Sequence, residues 1–208
     1  YGDRPLLYGP LYTAQPTGRK DKGPVYFRDD VNKNYGIKGQ KIEYTYDDAD
    51  KVVFPRMGPT NDGDNAAPLY NFWTGSSGQP TMAENITYFI RYQMRYMYWR
   101  YFFWNFAGRQ DDYQGTPENS MINGNWLSGI SALDDARGVS QDNLPPQIAN
   151  QKARNKYYLL PFLFGIIGLV FLYKKNRNDF ITTGLLFLIT GLFLIIYTNS
   201  PPRGPRER

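Results

Sequence analysis

The side chains best suited to chemistry lie between residues 91 and 114. Arg91 and Arg95 are spaced one helical turn apart, and a turn follows that combines amide, guanidinium and carboxylate groups, namely Asn105, Arg109, Asp111 and Gln114. A guanidinium offers a planar fork of N–H donors to phosphate oxygens. The pattern therefore indicates a site for a sugar or a lipid phosphate, or else an Arg–Asp pair that only fixes the loop.

Two missing residue types restrict this chemistry. The 208 residues contain no histidine and no cysteine, which excludes a Ser-His-Asp triad, histidine-ligated metals, cysteine-based zinc sites and disulfides. The Asp-rich segments 47–50 and 62–64 have the composition of turns, and Trp73 stands where a calcium loop would need its glutamate. We therefore predict no metal and no cofactor. The net charge of +5 is scattered along the chain, which argues against a nucleic-acid partner.

One long helix, residues 81–107, is predicted to carry the first two arginines. Thr81 and Glu84 have the spacing of a capping box, and the chain then runs to Phe106 without glycine or proline before Gly108 ends the helix. The helix is aromatic on all sides. Tyrosines and tryptophans with arginines suit a membrane interface, and the same pattern also fits a buried amphipathic helix of an extramembrane domain.

The segments on either side of this helix are predicted to be irregular. Residues 1–80 are rich in glycine and proline and contain short β-prone pieces at 25–27, 42–46 and 52–54. We expect an irregular extramembrane region with short strands there. Residues 108–156 are predicted to form a polar loop region that ends in a basic segment.

Two uncharged apolar runs, residues 157–173 and 180–197, follow this loop region. A bilayer core of roughly 30 Å needs about 20 helical residues, and tyrosines mark the ends of both runs. We therefore predict a mainly α membrane protein in a lipid bilayer. It would combine a two-helix transmembrane hairpin, a polar tail at 198–208, and an irregular α+β extramembrane loop domain with one long aromatic helix. A buried helical hairpin of a large soluble protein is the alternative.

Several motifs resemble a known family. They are YMYWRYFFWNFAGRQ at 96–110, NGNW at 123–126, NKYYLLP at 155–161, PPRGPRER at 201–208 and the opening YGDRPLLYG. Together they resemble bacterial multi-pass membrane proteins related to protein O-mannosyltransferases. The resemblance covers most of the chain in the same order, apart from the Asp-rich stretch between about residues 29 and 65. On this basis the chain is expected to be an internal fragment of a longer protein.

The resemblance implies a glycosyltransferase that moves a sugar from a polyprenyl-phosphate carrier to a hydroxyl of an exported acceptor protein. Residues 1–156 would lie in the periplasm, next to the bacterial inner membrane. Arg91, Arg95 and Arg109 would hold the phosphate, and Asn105 and Gln114 would bind sugar hydroxyls. The catalytic acidic residue would lie upstream of Tyr1. The alternative is a non-enzymatic, membrane-anchored interaction module.

Overall fold

A computed structural model describes residues 5–59, 67–113 and 123–202. The N-terminal part contains two antiparallel strand pairs. Strand β1 (Tyr8–Pro10) pairs with β4 (Lys51–Val53), and between them β2 (Gly18–Asp29) pairs with β3 (Asn34–Thr45). The second pair is called the β-ribbon below. Its strands have 12 residues each, so they are much longer than the β-prone pieces at 25–27 and 42–46.

The turn of the β-ribbon is held by Asp29. Its carboxylate accepts hydrogen bonds from the backbone amides of Val31 and Asn32 at 3.0 and 3.3 Å, and Lys33 takes a left-handed φ of 53°. Asp47 caps a short 3-10 turn at Asp48–Asp50 in the same way, which agrees with the turn prediction for 47–50. The second Asp-rich segment, 62–64, lies outside the described residues.

A tyrosine-rich core joins this part to the first helices. Leu11, Met57, Tyr70, Tyr88 and Tyr92 are buried together. Helix α1 (Ala67–Thr74) supplies Tyr70, whose ring stacks on Tyr12 and meets Tyr88 edge-on. The hydroxyl of Tyr70 donates to the carbonyl of Gly58 at 3.0 Å, so its polar end is paired although the ring is fully buried.

The aromatic helix, residues 82–106, has three consecutive parts. They are α2 (Met82–Tyr88), a π-helix (Phe89–Trp99) and α3 (Arg100–Phe106). The capping box is present, because the Thr81 hydroxyl accepts from the Glu84 amide and the Glu84 carboxylate accepts from the Thr81 amide. Tyr88 at the end of α2, and Tyr92 and Tyr96 in the π-helix, follow one another at intervals of four residues, and their rings stack at 5.1 and 5.7 Å. π-helical turns are often found at functional sites.

Short strands close the loop region after the aromatic helix. Strand β5 (Gly108–Arg109) pairs with β6 (Asn155–Lys156), and two short helices, α4 (Ser131–Ala136) and α5 (Pro146–Ala149), lie between them. Gly108 has a φ of 144°, and a Cβ there would lie 2.7 Å from the carbonyl oxygen of Asn155. Only glycine fits this junction, which is why the helix ends there.

The C-terminal part contains helix α6 (Leu160–Lys175) and the C-terminal helix (Arg177–Thr198). The latter consists of α7 (Arg177–Leu188), a π-helix (Ile189–Phe193) and α8 (Leu194–Thr198). It has 22 residues, a mean hydropathy of 2.3 in its most apolar window, and none of that window buried. Within the described residues it is the one helix long and apolar enough to cross a membrane.

The predicted two-helix transmembrane hairpin is therefore wrong. Helix α6 has 16 residues, two of them lysines in its last turn, and at 1.5 Å per residue it is about 24 Å long. The run at 157–173 does not become one continuous helix, because Tyr158 and Leu159 take left-handed φ angles of 53° and 59° and the helix starts only at Leu160. The fold is also more mixed than mainly α, with about 46% helix and 19% strand.

Candidate functional site

The aromatic helix runs antiparallel to the C-terminal helix. Gly191 allows close approach, because a Cβ at that position would lie 2.9 Å from the ring of Tyr98. The polar end of this interface is buried, since Asn199 and Gln93 are both inaccessible to solvent. Three pairs define the register: Gln93–Asn199 at 3.1 Å, Tyr98–Gly191, and Phe102–Phe187 with ring centroids 5.7 Å apart.

Arg91 and Arg95 lie on this helix, and both are exposed. Arg91 precedes Gln93 by two residues and Arg95 follows it by two. Because Gln93 contacts Asn199, both arginines lie at the level at which the C-terminal helix ends at Thr198. Neither forms an ion pair with the described residues. Their guanidinium groups are thus available to an anion.

Arg137 lies close to Arg95. Its guanidinium lies 3.4 Å from the centre of the Trp126 ring and donates to the Asp134 carboxylate at 3.1 Å. Burial lowers the pKa of Arg137, the Asp134 charge raises it, and the positive charge of Arg95 lowers it again. The sequence reasoning missed Arg137, although its i,i+3 spacing from Asp134 was a weak signal for a local ion pair.

Arg109 is held in structural contacts. Its Nε donates to the carbonyl of Ala153 at 2.9 Å, its Nη1 pairs with Asp112 at 3.1 Å, and its guanidinium lies 5.2 Å from the Trp104 ring. Its backbone amide donates to the side chain of Asn155 at 3.1 Å. These contacts match the alternative in which an Arg–Asp pair fixes the loop.

Asp111 is buried behind this turn, with 1% of its surface exposed. Its carboxylate accepts hydrogen bonds from the amides of Tyr113 and Gly124, both at 3.0 Å. Burial raises the pKa of Asp111, while these hydrogen bonds and the charge of Arg100 oppose the rise. Arg100 donates to the carbonyl of Gly124 at 2.8 Å, so both side chains hold the same loop.

The other two predicted residues do not join this arrangement. Asn105 is exposed, and its amide donates to the carbonyl of Tyr101 at 2.8 Å within its own helix. Gln114 lies outside the described residues. The structure thus brings Arg109 and Asp111 together in one folded turn, but with separate partners, and leaves Arg91 and Arg95 on an open helix surface. The described residues contain no group of three or more acidic side chains that could hold a metal ion.

One further residue that the sequence reasoning missed is Arg56, which is fully buried. It donates to the carbonyls of Leu6 and Ile196 at 3.0 and 2.9 Å, and it stacks 3.8 Å from the Phe54 ring. It therefore ties the end of the C-terminal helix to the N-terminal part of the chain. A lone arginine after a strand gives no signal of such a role in the sequence.

Comparison with protein-family models gives a match over part of the chain. Residues 2–90, less than half of the chain, match the model of a family of unknown function, DUF8416. No curated protein and no solved structure matches the chain. The matched segment includes the β-ribbon, helix α1 and the start of the aromatic helix up to Ile90. The family description assigns no activity to it.

Proposed function

We propose that this chain is a section of a membrane glycosyltransferase that uses a polyprenyl-phosphate-linked sugar and glycosylates a hydroxyl of an exported protein. The supporting observation is the position of Arg91 and Arg95 along the axis of the C-terminal helix. Both are exposed on the aromatic helix, beside the end of a helix that is long and apolar enough to cross a membrane. Lipid phosphates lie where such a helix leaves the hydrocarbon, so two guanidinium groups at this level suit the phosphate of a lipid carrier.

The proposal includes a location. The C-terminal helix would be one pass of a multi-pass protein in a bacterial inner membrane, with its end at Thr198 and the N-terminal part of the chain on the periplasmic side. The exposed apolar side chains of this helix support contact with lipid, since none of its most apolar window is buried.

Fewer residues would contact the substrate than the sequence suggested. Arg91 and Arg95 would bind the phosphate, whereas the charge of Arg137 is already paired with Asp134. Arg109, Asn105 and Asp111 are used in contacts within the chain. They would shape the loop rather than touch the substrate, and the sugar-binding groups would lie elsewhere.

A binding measurement tests this proposal. The detergent-solubilised chain is titrated with farnesyl phosphate, a short prenyl phosphate, and with farnesol, which lacks the phosphate. We expect the phosphate to bind more tightly, and the double variant Arg91→Gln/Arg95→Gln to weaken that binding by about tenfold or more, which corresponds to about 1.4 kcal/mol.

Two controls define the outcomes. Arg19→Gln/Arg28→Gln on the β-ribbon removes the same charge far from the aromatic helix and should leave the affinity unchanged. An unchanged affinity in the Arg91/Arg95 variant would falsify the assignment. Equal binding of farnesyl phosphate and a short-chain phosphatidylglycerol would mean that the arginines recognise any lipid phosphate.

That last outcome would favour the second candidate, a non-enzymatic membrane-anchored interaction module. One specific observation supports it. Among the predicted substrate-binding residues that are described, Asn105, Arg109 and Asp111 all hydrogen-bond within the chain. These contacts give all three residues a structural role, which does not require a substrate.

A further inference from the structure

The β-ribbon has open edges on both of its strands. In the described part of the chain, β2 and β3 form a two-stranded sheet and pair only with each other. None of their 24 side chains is buried. An isolated two-stranded ribbon is marginally stable in water, and its outer edges present unpaired N–H and C=O groups that can template another strand.

The two edges differ in how well they could accept a strand. Strand β2 contains Pro24, which has no N–H to donate, next to a register shift between Asp21 and Pro24. Both features protect an edge from pairing. Strand β3 contains no proline over its 12 residues, and the two register shifts fall at Lys38 and Lys41 on this strand. The β3 edge is therefore the better template.

The arrangement of the apolar residues on the β-ribbon argues against binding to a lipid surface. Tyr26 lies opposite Ile37 on one face, and the neighbouring Phe27 covers Gly36 on the other face. All three large side chains are at least 46% exposed. A membrane would cover only one face, and lipid cannot pair the edge N–H and C=O groups.

The charge of the β-ribbon selects among protein partners. Residues 18–45 contain seven basic and four acidic side chains, a net charge of +3. Two of the acidic groups are neutralised locally, since Glu43 pairs with Lys22 at 2.9 Å and Asp30 pairs with Arg28 at 3.4 Å. A second copy of the ribbon, which carries the same net positive charge, would be repelled, whereas an acidic strand would be attracted.

We propose that the outer edge of β3 binds an extended, acidic segment of a partner protein as a third strand. Backbone hydrogen bonds would give the affinity, and Lys38 and Lys41 would select acidic side chains. The inference does not depend on the membrane or on the phosphate site. It concerns residues 18–45, all of which lie inside the segment that matches the family model.

Two peptides test the charge preference. Each has about nine residues, the length of an ordinary strand, and alternates Val or Thr with either Glu or Lys. We expect the full chain to bind the Glu peptide at least about tenfold more tightly than the Lys peptide. The double variant Lys38→Glu/Lys41→Glu should reverse this preference. Lys174→Glu/Lys175→Glu, with the same charge change at the far end of α6, should preserve it.

A deletion tests the position. Gly18 and Thr45 lie directly opposite each other, so residues 19–44 can be replaced by Asn-Gly, which closes a two-residue hairpin. We expect unchanged thermal unfolding of the rest of the chain and loss of peptide binding. In the intact chain, the Glu peptide should slow amide hydrogen exchange on β3 more than on β2.

Four results would overturn the proposal. They are equal affinity for the two peptides, peptide binding that survives the deletion, dimerisation of the chain that depends on residues 19–44, and binding to anionic vesicles that is lost with the deletion. The third result would assign the edge to a second copy, and the fourth would assign it to a membrane.

Discussion

The guanidinium of Arg56 donates a hydrogen bond of 2.9 Å to the carbonyl oxygen of Ile196, across 140 residues of sequence. Carbonyl groups in the last turn of a helix have no partner within the helix, and a cation at this end interacts favourably with the helix dipole. Arg56 supplies both the donor and the charge. Burial lowers its pKa to about 10, so it remains a cation at neutral pH.

We expect Arg56→Met to destabilise the fold strongly. The substitution fills the space but leaves the carbonyl oxygens of Leu6 and Ile196 without their donor. Unpaired buried acceptors cost about 1–3 kcal/mol each, so the free energy of unfolding should fall by about 2–6 kcal/mol. Urea unfolding in mild detergent measures this change.

The exposed Arg28 provides the matched control for Arg56. Arg28→Met should change the free energy of unfolding by less than about 0.5 kcal/mol, as is usual for surface positions. If the two variants were equally stable, Arg56 would not hold the end of the C-terminal helix.

The sequence predicted the features that depend on neighbouring residues. Thr81 and Glu84 form their capping box, and Gly108 ends the aromatic helix. In both cases the signal lies within a few residues, where backbone geometry decides the structure. The long strands of the β-ribbon were only partly predicted, because Gly23, Pro24, Gly36 and Gly39 interrupt the strand pattern.

The features that were missed depend on residues far apart in sequence. Gln93 contacts Asn199 across 106 residues, and this pair sets the level of the arginines against the C-terminal helix. No periodicity in either segment contains that information. The start of α6 was also missed, because hydropathy cannot show that Tyr158 and Leu159 adopt left-handed conformations.

A second prediction concerns the close approach at Gly191. A methyl group there would lie 2.9 Å from the Tyr98 ring, so Gly191→Ala must push the two helices apart or move the ring. Strain of this kind costs about 1–3 kcal/mol. We expect a lower midpoint of thermal unfolding in detergent.

Gly184 lies on the same helix, with open space around the position of a Cβ. Gly184→Ala should therefore be neutral or slightly stabilising. Because Tyr98 supplies the clash, adding Tyr98→Leu to Gly191→Ala should restore part of the lost stability. A Gly191→Ala variant as stable as Gly184→Ala would show that these helices do not touch at this point.

A third prediction separates a structural from a phosphate-binding Arg109. Arg109→Ala removes the hydrogen bond to Ala153 and the pair with Asp112. Net hydrogen-bond contributions are about 0.5–1.5 kcal/mol each, so we expect a loss of about 1–2 kcal/mol in the free energy of unfolding. Farnesyl phosphate should bind with unchanged affinity in the titration described for Arg91 and Arg95. Weaker phosphate binding together with an unchanged free energy of unfolding would show that Arg109 belongs to the binding site.

The fourth prediction is a pH dependence of stability that arises from Asp111. Because burial raises its pKa in the folded state, the folded chain holds this proton more tightly than the unfolded chain does. The stabilising contribution of the neutral form is complete below the ordinary carboxyl pKa of about 4 and is lost as the pH rises through the higher folded value.

Asp111→Asn keeps the oxygen that accepts from Tyr113 and Gly124 but cannot ionise. Relative to the unmodified chain, this variant should gain stability as the pH is raised from 4 to 7, and Asp142→Asn, a change at an exposed site, should not. Urea unfolding at several pH values measures the difference. A constant difference between the Asp111→Asn variant and the unmodified chain would mean that Asp111 ionises as easily in the folded chain as in water. In that case Arg100 and the two amides, rather than burial, would set its charge.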